Sequence, residues 1–267
     1  MGRRGNSGWG AGQCCRIDKS PKTGDYLDSE SSNSSTGMAA QSDGRFLEAA
    51  DYVRKGASTD AQHAQAADAE NSRQARRIRE WADQTGRLIP PENFEKLQRV
   101  SNSTSEHTVY YDPAQNRAIK VTLPGEFGWV PILDNRRWNL GVATPLEYLR
   151  RWHLFNEVFG DDAQLEGVTV SAEPSMVICG DTNPVSVVIS QHWHEAADLN
   201  SPTPTETEVS TFLHRLGFEP LTGSFGGWLR SRDGVVLLDA FPDNFVKTRS
   251  GVMPFDLPIT QAEFASL

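Results

Sequence analysis

Apolar residues are sparse at the start of the chain and then recur with two different periods. Over residues 1–43 Gly, Ser, Asn, Asp and Lys predominate, around the run Ser29-Glu30-Ser31-Ser32-Asn33-Ser34-Ser35. A segment of this kind buries too little apolar surface to offset its ordering entropy and is expected to be a disordered tail. From residue 44 to 91 the texture turns to Ala, Glu, Gln and Arg. Phe46, Leu47, Ala50 and Val53 form a short apolar face, and Ile78 and Trp81 mark a charged helix over 72–83. Helices with stripes this thin need another element to pack on. Gly86 and Pro90-Pro91 end the helical region.

Beyond residue 91, Val109-Tyr110-Tyr111 and Ala118-Ile119-Lys120-Val121-Thr122 read as two strands across the turn Asp112-Pro113-Ala114-Gln115-Asn116, a β-hairpin. Thr144-Pro145-Leu146-Glu147 is a capping box with Pro at the first helical position. Leu149, Trp152, Phe155 and Phe159 then recur at spacings of three and four, so a helix is predicted over 145–159, closed by Gly160. A second hairpin is predicted from 176–179, a turn over 180–184, and 185–190. A helix over 206–216 stops at Gly217, and short strands are predicted over 228–230, 235–238, 245–247 and 252–255. Hairpin, helix, hairpin, helix and short strands make an α+β fold class. No internal repeat is visible.

Composition narrows the setting. The 267 residues carry 26 Lys+Arg against 35 Asp+Glu, a formal charge of -9. An acidic balance argues against a dedicated nucleic-acid binder. The longest apolar runs, such as 185–189 and 235–238, fall far short of the roughly 18 residues that a membrane span needs, so no membrane partner is expected. The start, Met1-Gly2-Arg3-Arg4-Gly5, is followed by no apolar targeting region, and Asn6 stands where a myristoylation signal wants Ser or Thr; a cytoplasmic protein is expected. Cys14 and Cys15 are adjacent and Cys179 is distant, a spacing that builds neither a disulfide framework nor a Cys-based zinc site.

Leu238-Asp239-Ala240-Phe241-Pro242-Asp243-Asn244-Phe245 is the segment with chemistry, followed twelve residues after Asn244 by Asp256. Phosphoryl transfer from a nucleotide needs a carboxylate beside the attacking hydroxyl and oxygen ligands for magnesium. An Asp-x-x-x-x-Asn loop at the end of one strand, with a second Asp at the end of the next, supplies those groups at one edge. Here the chain resembles the protein-kinase-like superfamily: Asp239, Pro242 and Asn244 match its catalytic loop, Asp256 its following metal-binding Asp, and Ala118-Ile119-Lys120 its third strand. Ser105-Glu106-His107-Thr108-Val109-Tyr110, Thr144-Pro145-Leu146-Glu147-Tyr148-Leu149, and Asn156-Glu157-Val158-Phe159-Gly160-Asp161-Asp162 look more narrowly like the kinase domain of bacterial and phage polyvalent proteins. The resemblance covers residues 92–257.

That resemblance implies a bilobal fold, with an N-lobe over 92–196 and a truncated C-lobe over 197–267, and ATP and Mg2+ as cofactors. It assigns Lys120 to the nucleotide phosphates and Asp239 to the acceptor hydroxyl. Asn244 and Asp256 are assigned to the metal, and Gln191, His192 and Trp193 to the adenine-binding hinge. Glu157 is the first choice, ahead of Glu147, for the glutamate that pairs with Lys120. The acceptor is a protein, the chain itself or a small molecule.

The chain also departs from the family pattern. The turn over 101–105 has no glycine, which makes close backbone approach to phosphate harder. Leu237-Leu238 replaces the His-Arg before the catalytic Asp, Phe241 the loop lysine, and Leu257-Pro258 the Phe-Gly after Asp256, with eleven residues left for any activation segment. His192 and His194 would share one face of a strand, yet no third metal ligand lies at a known spacing. Two other readings therefore stand beside the phosphotransferase: a catalytically inactive kinase fold that binds a nucleotide or protein, and an unrelated α+β interaction protein in which 239–244 is a plain turn.

Overall fold

Two helices pack onto the rest of the molecule because their apolar residues recur once per turn. In a computed structural model that describes residues 44–55, 64–101, 106–171, 184–224 and 226–262, α1 (Gly44–Arg54) buries Phe46, Ala49, Ala50 and Val53. The longer α2 (Ala64–Gln84) buries Ala75, Ile78, Trp81 and Ala82. Gly86, with φ +67, ends it in the left-handed region as the sequence predicts. The tail over 1–43 lies outside the described residues.

The chain then runs through β1 (Gln98–Arg99), β2 (His107–Asp112), β3 (Arg117–Thr122), β4 (Trp129–Asp134), β5 (Arg137–Val142), α3 (Pro145–Phe159), β6 (Gln164–Val170) and β7 (Val185–His192). A five-stranded sheet has the order β1-β2-β3-β7-β6, each neighbour antiparallel. The predicted hairpin is present as β2–β3, from His107↔Thr122 to Asp112↔Arg117. The predicted helix is α3, with both halves of the Thr144–Glu147 capping box formed and Gly160 at φ +64 as its C-cap. It presses Tyr148, Leu149, Trp152 and Phe155 into the core.

Beyond β7 come α4 (Glu206–Arg215), β8 (Glu219–Pro220), β9 (Trp228–Arg230), β10 (Val235–Leu237), β11 (Phe245–Thr248), β12 (Gly251–Pro254) and β13 (Ile259–Gln261). The last strands form a four-stranded sheet, β13-β10-β9-β8, and a separate β11–β12 ribbon. One apolar cluster joins Phe46, Trp81, Trp152 and Ile189 to Leu213, Trp228, Leu237 and Ile259, so the core is continuous across residue 196. The architecture of the described residues is α+β, four α-helices with antiparallel sheets.

Neither β6 nor the β4–β5 hairpin is among the elements expected from the sequence. The second hairpin was expected to pair 185–190 with 176–179; the latter lies outside the described residues, and β7 pairs instead with β3 and β6. The β6 pattern is interrupted by a register shift between Leu165 and Gly167. Gly167 is required because a Cβ there would overlap the Arg87 carbonyl, which accepts from Val168 N–H at 3.0 Å. The β4–β5 hairpin escapes notice because Pro131 sits within its first strand, and its tight turn uses Asn135 (φ +48) and Arg136 (φ +64) where glycine is the usual signal.

Candidate active site

Alternation along β3 puts Ala118, Lys120 and Thr122 on the face turned toward α3. Lys120 is 4 % exposed. Its ammonium donates to the Phe255 carbonyl and lies 4.7 Å from the centroid of the Trp152 ring. Burial lowers the Lys120 pKa, and Arg151 adds to the depression while Asp256 opposes it.

Arg151 is the centre of the surrounding network. Nη1 donates to both carboxylate oxygens of Glu106, at 2.9 and 2.7 Å, Nη2 to Asp256 Oδ1 at 2.8 Å, and Nε to the Leu257 carbonyl at 3.1 Å. Gly128 allows the chain to close over this pair: it has φ +71, and a Cβ would come within 2.6 Å of the Glu106 carboxyl carbon. His107 Nε2 is 2.8 Å from the Tyr148 hydroxyl, and its Nδ1 is 3.8 Å from Asp256 Oδ2. Burial, the largest influence on Asp256, would raise its carboxyl; Lys120, His107 and Arg151 together hold it well below the usual carboxylate range. Tyr148 is pushed up by burial.

The Asp239–Asn244 loop borders this network. Asn244 Nδ2 donates to the Asp239 carbonyl at 2.7 Å and to Asp239 Oδ2 at 3.0 Å. Phe255 N–H donates to the Asn244 carbonyl at 3.1 Å, which ties the loop to the strand leading into Asp256. Asp239 has φ +56, a left-handed backbone that costs an L-residue about 1 kcal/mol and is held only because its surroundings demand it. Gly226 permits the loop to sit there, since a Cβ would lie 2.9 Å from Ala240 N. Burial raises the Asp239 carboxyl more than its bond from Asn244 lowers it, and the negative charges of Asp243, Asp256 and Glu106 add to the rise.

Lys120, Asp239, Asn244 and Asp256 are thus assembled in one region from strands far apart in sequence. Glu157 is not among them. It is 54 % exposed and faces His153 Nε2 at 3.5 Å, lining, with Glu147, a groove of about 730 Å³ between α3 and β13. The reason is helical phase: with Trp152 facing Lys120, position 157 stands about 140° further round the helix. Glu147 is no alternative, because its carboxylate is bound by Thr144. The expected Lys120–Glu157 pair is corrected by this geometry, and the buried charge that α3 offers is Arg151.

In the segment expected to form the hinge, Gln191 is buried and donates to Asp161 Oδ2 at 2.7 Å. The His192 N–H donates to Asp162 Oδ1 at 2.9 Å, and the Trp193 N–H to the Asn116 carbonyl at 3.0 Å while its ring packs 4.9 Å from Tyr111. Two backbone donors of the segment expected to hold the adenine therefore have protein partners. His194 Nε2 is 3.5 Å from Asp161 Oδ1. Among the described residues the three side chains whose ligand atoms lie within 4.8 Å of one another are Glu106, His107 and Asp256, so no such group forms at the histidine pair.

Two of the side chains predicted for the site could offer oxygen to a metal ion. With Asn244 Nδ2 committed to Asp239, its Oδ1 is left to accept, and Asp256 adds anionic oxygen, the hard ligands that Mg2+ prefers. Sequence reasoning missed Glu106 and Arg151. The signal for Arg151 was present: it falls on the same apolar stripe as Tyr148 and Phe155, three and four residues away, where a charge needs a buried partner. No protein-family model, curated protein or solved structure matches the chain.

Proposed function

We propose that the chain is a kinase-like, ATP- and Mg2+-dependent phosphotransferase of the bilobal, truncated C-lobe type, of the kind in bacterial and phage polyvalent proteins, acting in the cytoplasm on a protein acceptor or on itself. The observation that carries this reading is the convergence of Lys120 on β3 with Asp256 after β12, next to the hydrogen-bonded Asp239–Asn244 loop. Lys120 offers its charge to the nucleotide phosphates, and Asn244 and Asp256 would hold the metal. Magnesium bound there would neutralise charge on the transferring phosphoryl group. Asp239, with its carboxyl raised by burial, orients the acceptor hydroxyl and takes its proton. No helix of the described residues is long and apolar enough to cross a membrane.

The test is thermal stabilisation by ATP with and without magnesium. A ligand at one hundred times its dissociation constant adds about 2.7 kcal/mol. Lys120→Met should abolish the shift while the free protein stays folded. Absence of any shift in the wild-type chain would return the 239–244 segment to a plain turn.

A specific observation favours a second reading, a catalytically inactive kinase fold that binds a nucleotide or protein. Arg151 occupies one oxygen of Asp256, and the hinge donors at 192 and 193 are engaged. Nucleotide binding with no transfer to protein, to the chain itself or to water would select it.

A further inference from the structure

The β4–β5 ribbon is a two-stranded sheet, and such ribbons are marginal in water unless another element covers them. Its register sets Trp129 opposite Val142, Pro131 opposite Leu140 and Leu133 opposite Trp138. Side chains alternate across a strand, so these six stand on one face, and all are apolar. Three stay open to solvent: Val142 is 61 % exposed, Trp129 45 % and Leu133 40 %.

The two edges of the ribbon differ. Ala143 N–H donates to the Gly128 carbonyl at 2.8 Å, and alternation from that bond shows which residues face the partner strand and which face away. The N–H and C=O groups of Trp129 and Leu133 and the C=O of Pro131 face outward on β4, and the N–H and C=O groups of Trp138, Leu140 and Val142 face outward on β5. The β4 edge is closed at its start: Trp129 N–H donates to Glu106 Oε1 at 2.7 Å, its carbonyl accepts from Arg151 at 3.1 Å, and Pro131 has no N–H. On β5, no hydrogen bond from the described residues reaches the outward groups, and β5 has no sheet neighbour but β4. An unpaired, apolar edge is a template for another strand.

We propose that the β5 edge pairs antiparallel with the same edge of a second copy of this chain, about a two-fold axis through Leu140, to give a four-stranded sheet β4-β5-β5-β4. The edge is complementary to itself. With the axis at Leu140, Trp138 of each copy faces Val142 of the other and Leu140 faces Leu140, all in hydrogen-bonded pairs. Every outward N–H and C=O of those three residues is then satisfied, and apolar side chains meet across the junction. Charge fits as well. Arg136 and Arg137 are exposed and have no ion-pair partner among the described residues. This register runs the Arg137 end of one β5 toward the end of the other where α3 begins with Glu147 in its first turn, so the arginines of the two copies approach an acidic helix start and not each other. One six-residue edge buries less than the about 800 Å² per partner of a standard stable interface, so the dimer dissociates on dilution.

Sedimentation equilibrium of the full chain over a concentration series tests this, independently of the phosphotransferase reading. The expected mass rises from 29.5 kDa toward twice that value. Leu140→Pro removes an outward N–H and none that bonds β4, so it should hold the chain at the monomer mass with an unchanged melting temperature. Should proline disturb the ribbon, Val142→Lys carries the test: at a side chain already open to water it places a charge against Trp138 of the second copy and should also give monomer. A wild-type chain that is monomeric at every concentration overturns the proposal. So does a dimer that survives Val142→Lys, which would assign the contact to another surface.

Discussion

Two ionic networks flank β3, and they differ in what water can do for them. The inner one joins Lys120, Arg151, Glu106 and Asp256; the Arg151 side chain is 1 % exposed and that of Glu106 8 %. The outer one joins Arg117 to Asp162 at 2.7 Å, with Arg117 Nε donating to Ser190 Oγ at 2.9 Å and the Asp162 side chain 42 % exposed. Similar donors and acceptors meet in both. In the outer network, a lost partner is replaced by water. In the inner one it is not, so each charge depends on the others, and this dependence orients Asp256 beside Lys120. The lesson is that an ion pair informs about a site in proportion to the solvent denied to it.

The sharpest way to break that contrast is Arg151→Met. It leaves the Glu106 and Asp256 carboxylates without their guanidinium and should cost about 3–5 kcal/mol, read as a fall in melting temperature and in denaturation midpoint. Arg151→Lys should recover only part, because one ammonium cannot reproduce the forked bonds to Glu106 and Asp256. A loss no larger than that of a surface pair would show that water enters the cluster.

Next in size is Asp256→Asn, expected to cost about 1–3 kcal/mol and to weaken magnesium-dependent nucleotide binding as well. Its pH dependence has a definite sign. The folded carboxyl titrates below its ordinary 3.8, so between the two values the unfolded chain binds more protons. The stability that Asp256 contributes is complete above 3.8 and disappears as the pH falls through the folded value. Acid titration of wild type against Asp256→Asn should therefore show the two curves converging below 3.8; a gap that persists unchanged in strong acid would contradict the assignment.

Asp162→Asn probes the outer network. Burial opposes but does not prevent the lowering of this carboxyl by the Arg117 bond, and exposure limits the loss to about 1 kcal/mol or less. Chemical denaturation is sensitive enough to distinguish that from the inner cluster. Smallest of all is Glu157→Gln. A solvated charge on the outer face of α3 should change stability by no more than about 0.5 kcal/mol and leave nucleotide-induced stabilisation intact. A loss of nucleotide binding in this variant would revive the Lys120–Glu157 pair that the geometry separates.

Asp239 and Asn244 lie between the two regimes, and their placement was legible in the sequence for a local reason. Five residues apart, with Pro242 between, they meet through a loop short enough to be closed by its own hydrogen bonds. The left-handed backbone at Asp239 was not legible, because it depends on Gly226 opening a space in another strand connection. Likewise the β4–β5 ribbon has a turn whose residues carry no glycine, so only the register shows that it is a hairpin.

The features that local chemistry decides were determined by the sequence alone. The start of α3 at Thr144 and its end at Gly160, the β2–β3 hairpin, α4 and the alternating last strands each follow from contacts within a few residues, namely caps, turns and apolar period. Tertiary structure decided which side of each element matters. A helix written with Arg151 on one stripe and Glu157 on another offers either charge to its surroundings. Only the packing of Trp152 against Lys120 turned the arginine inward and left the glutamate in water. The same holds for Glu106, whose role depends on a guanidinium 45 residues away. Periodicity states that a face exists, whereas the partner that covers it, and so the dielectric around each charge, is set by the assembled fold.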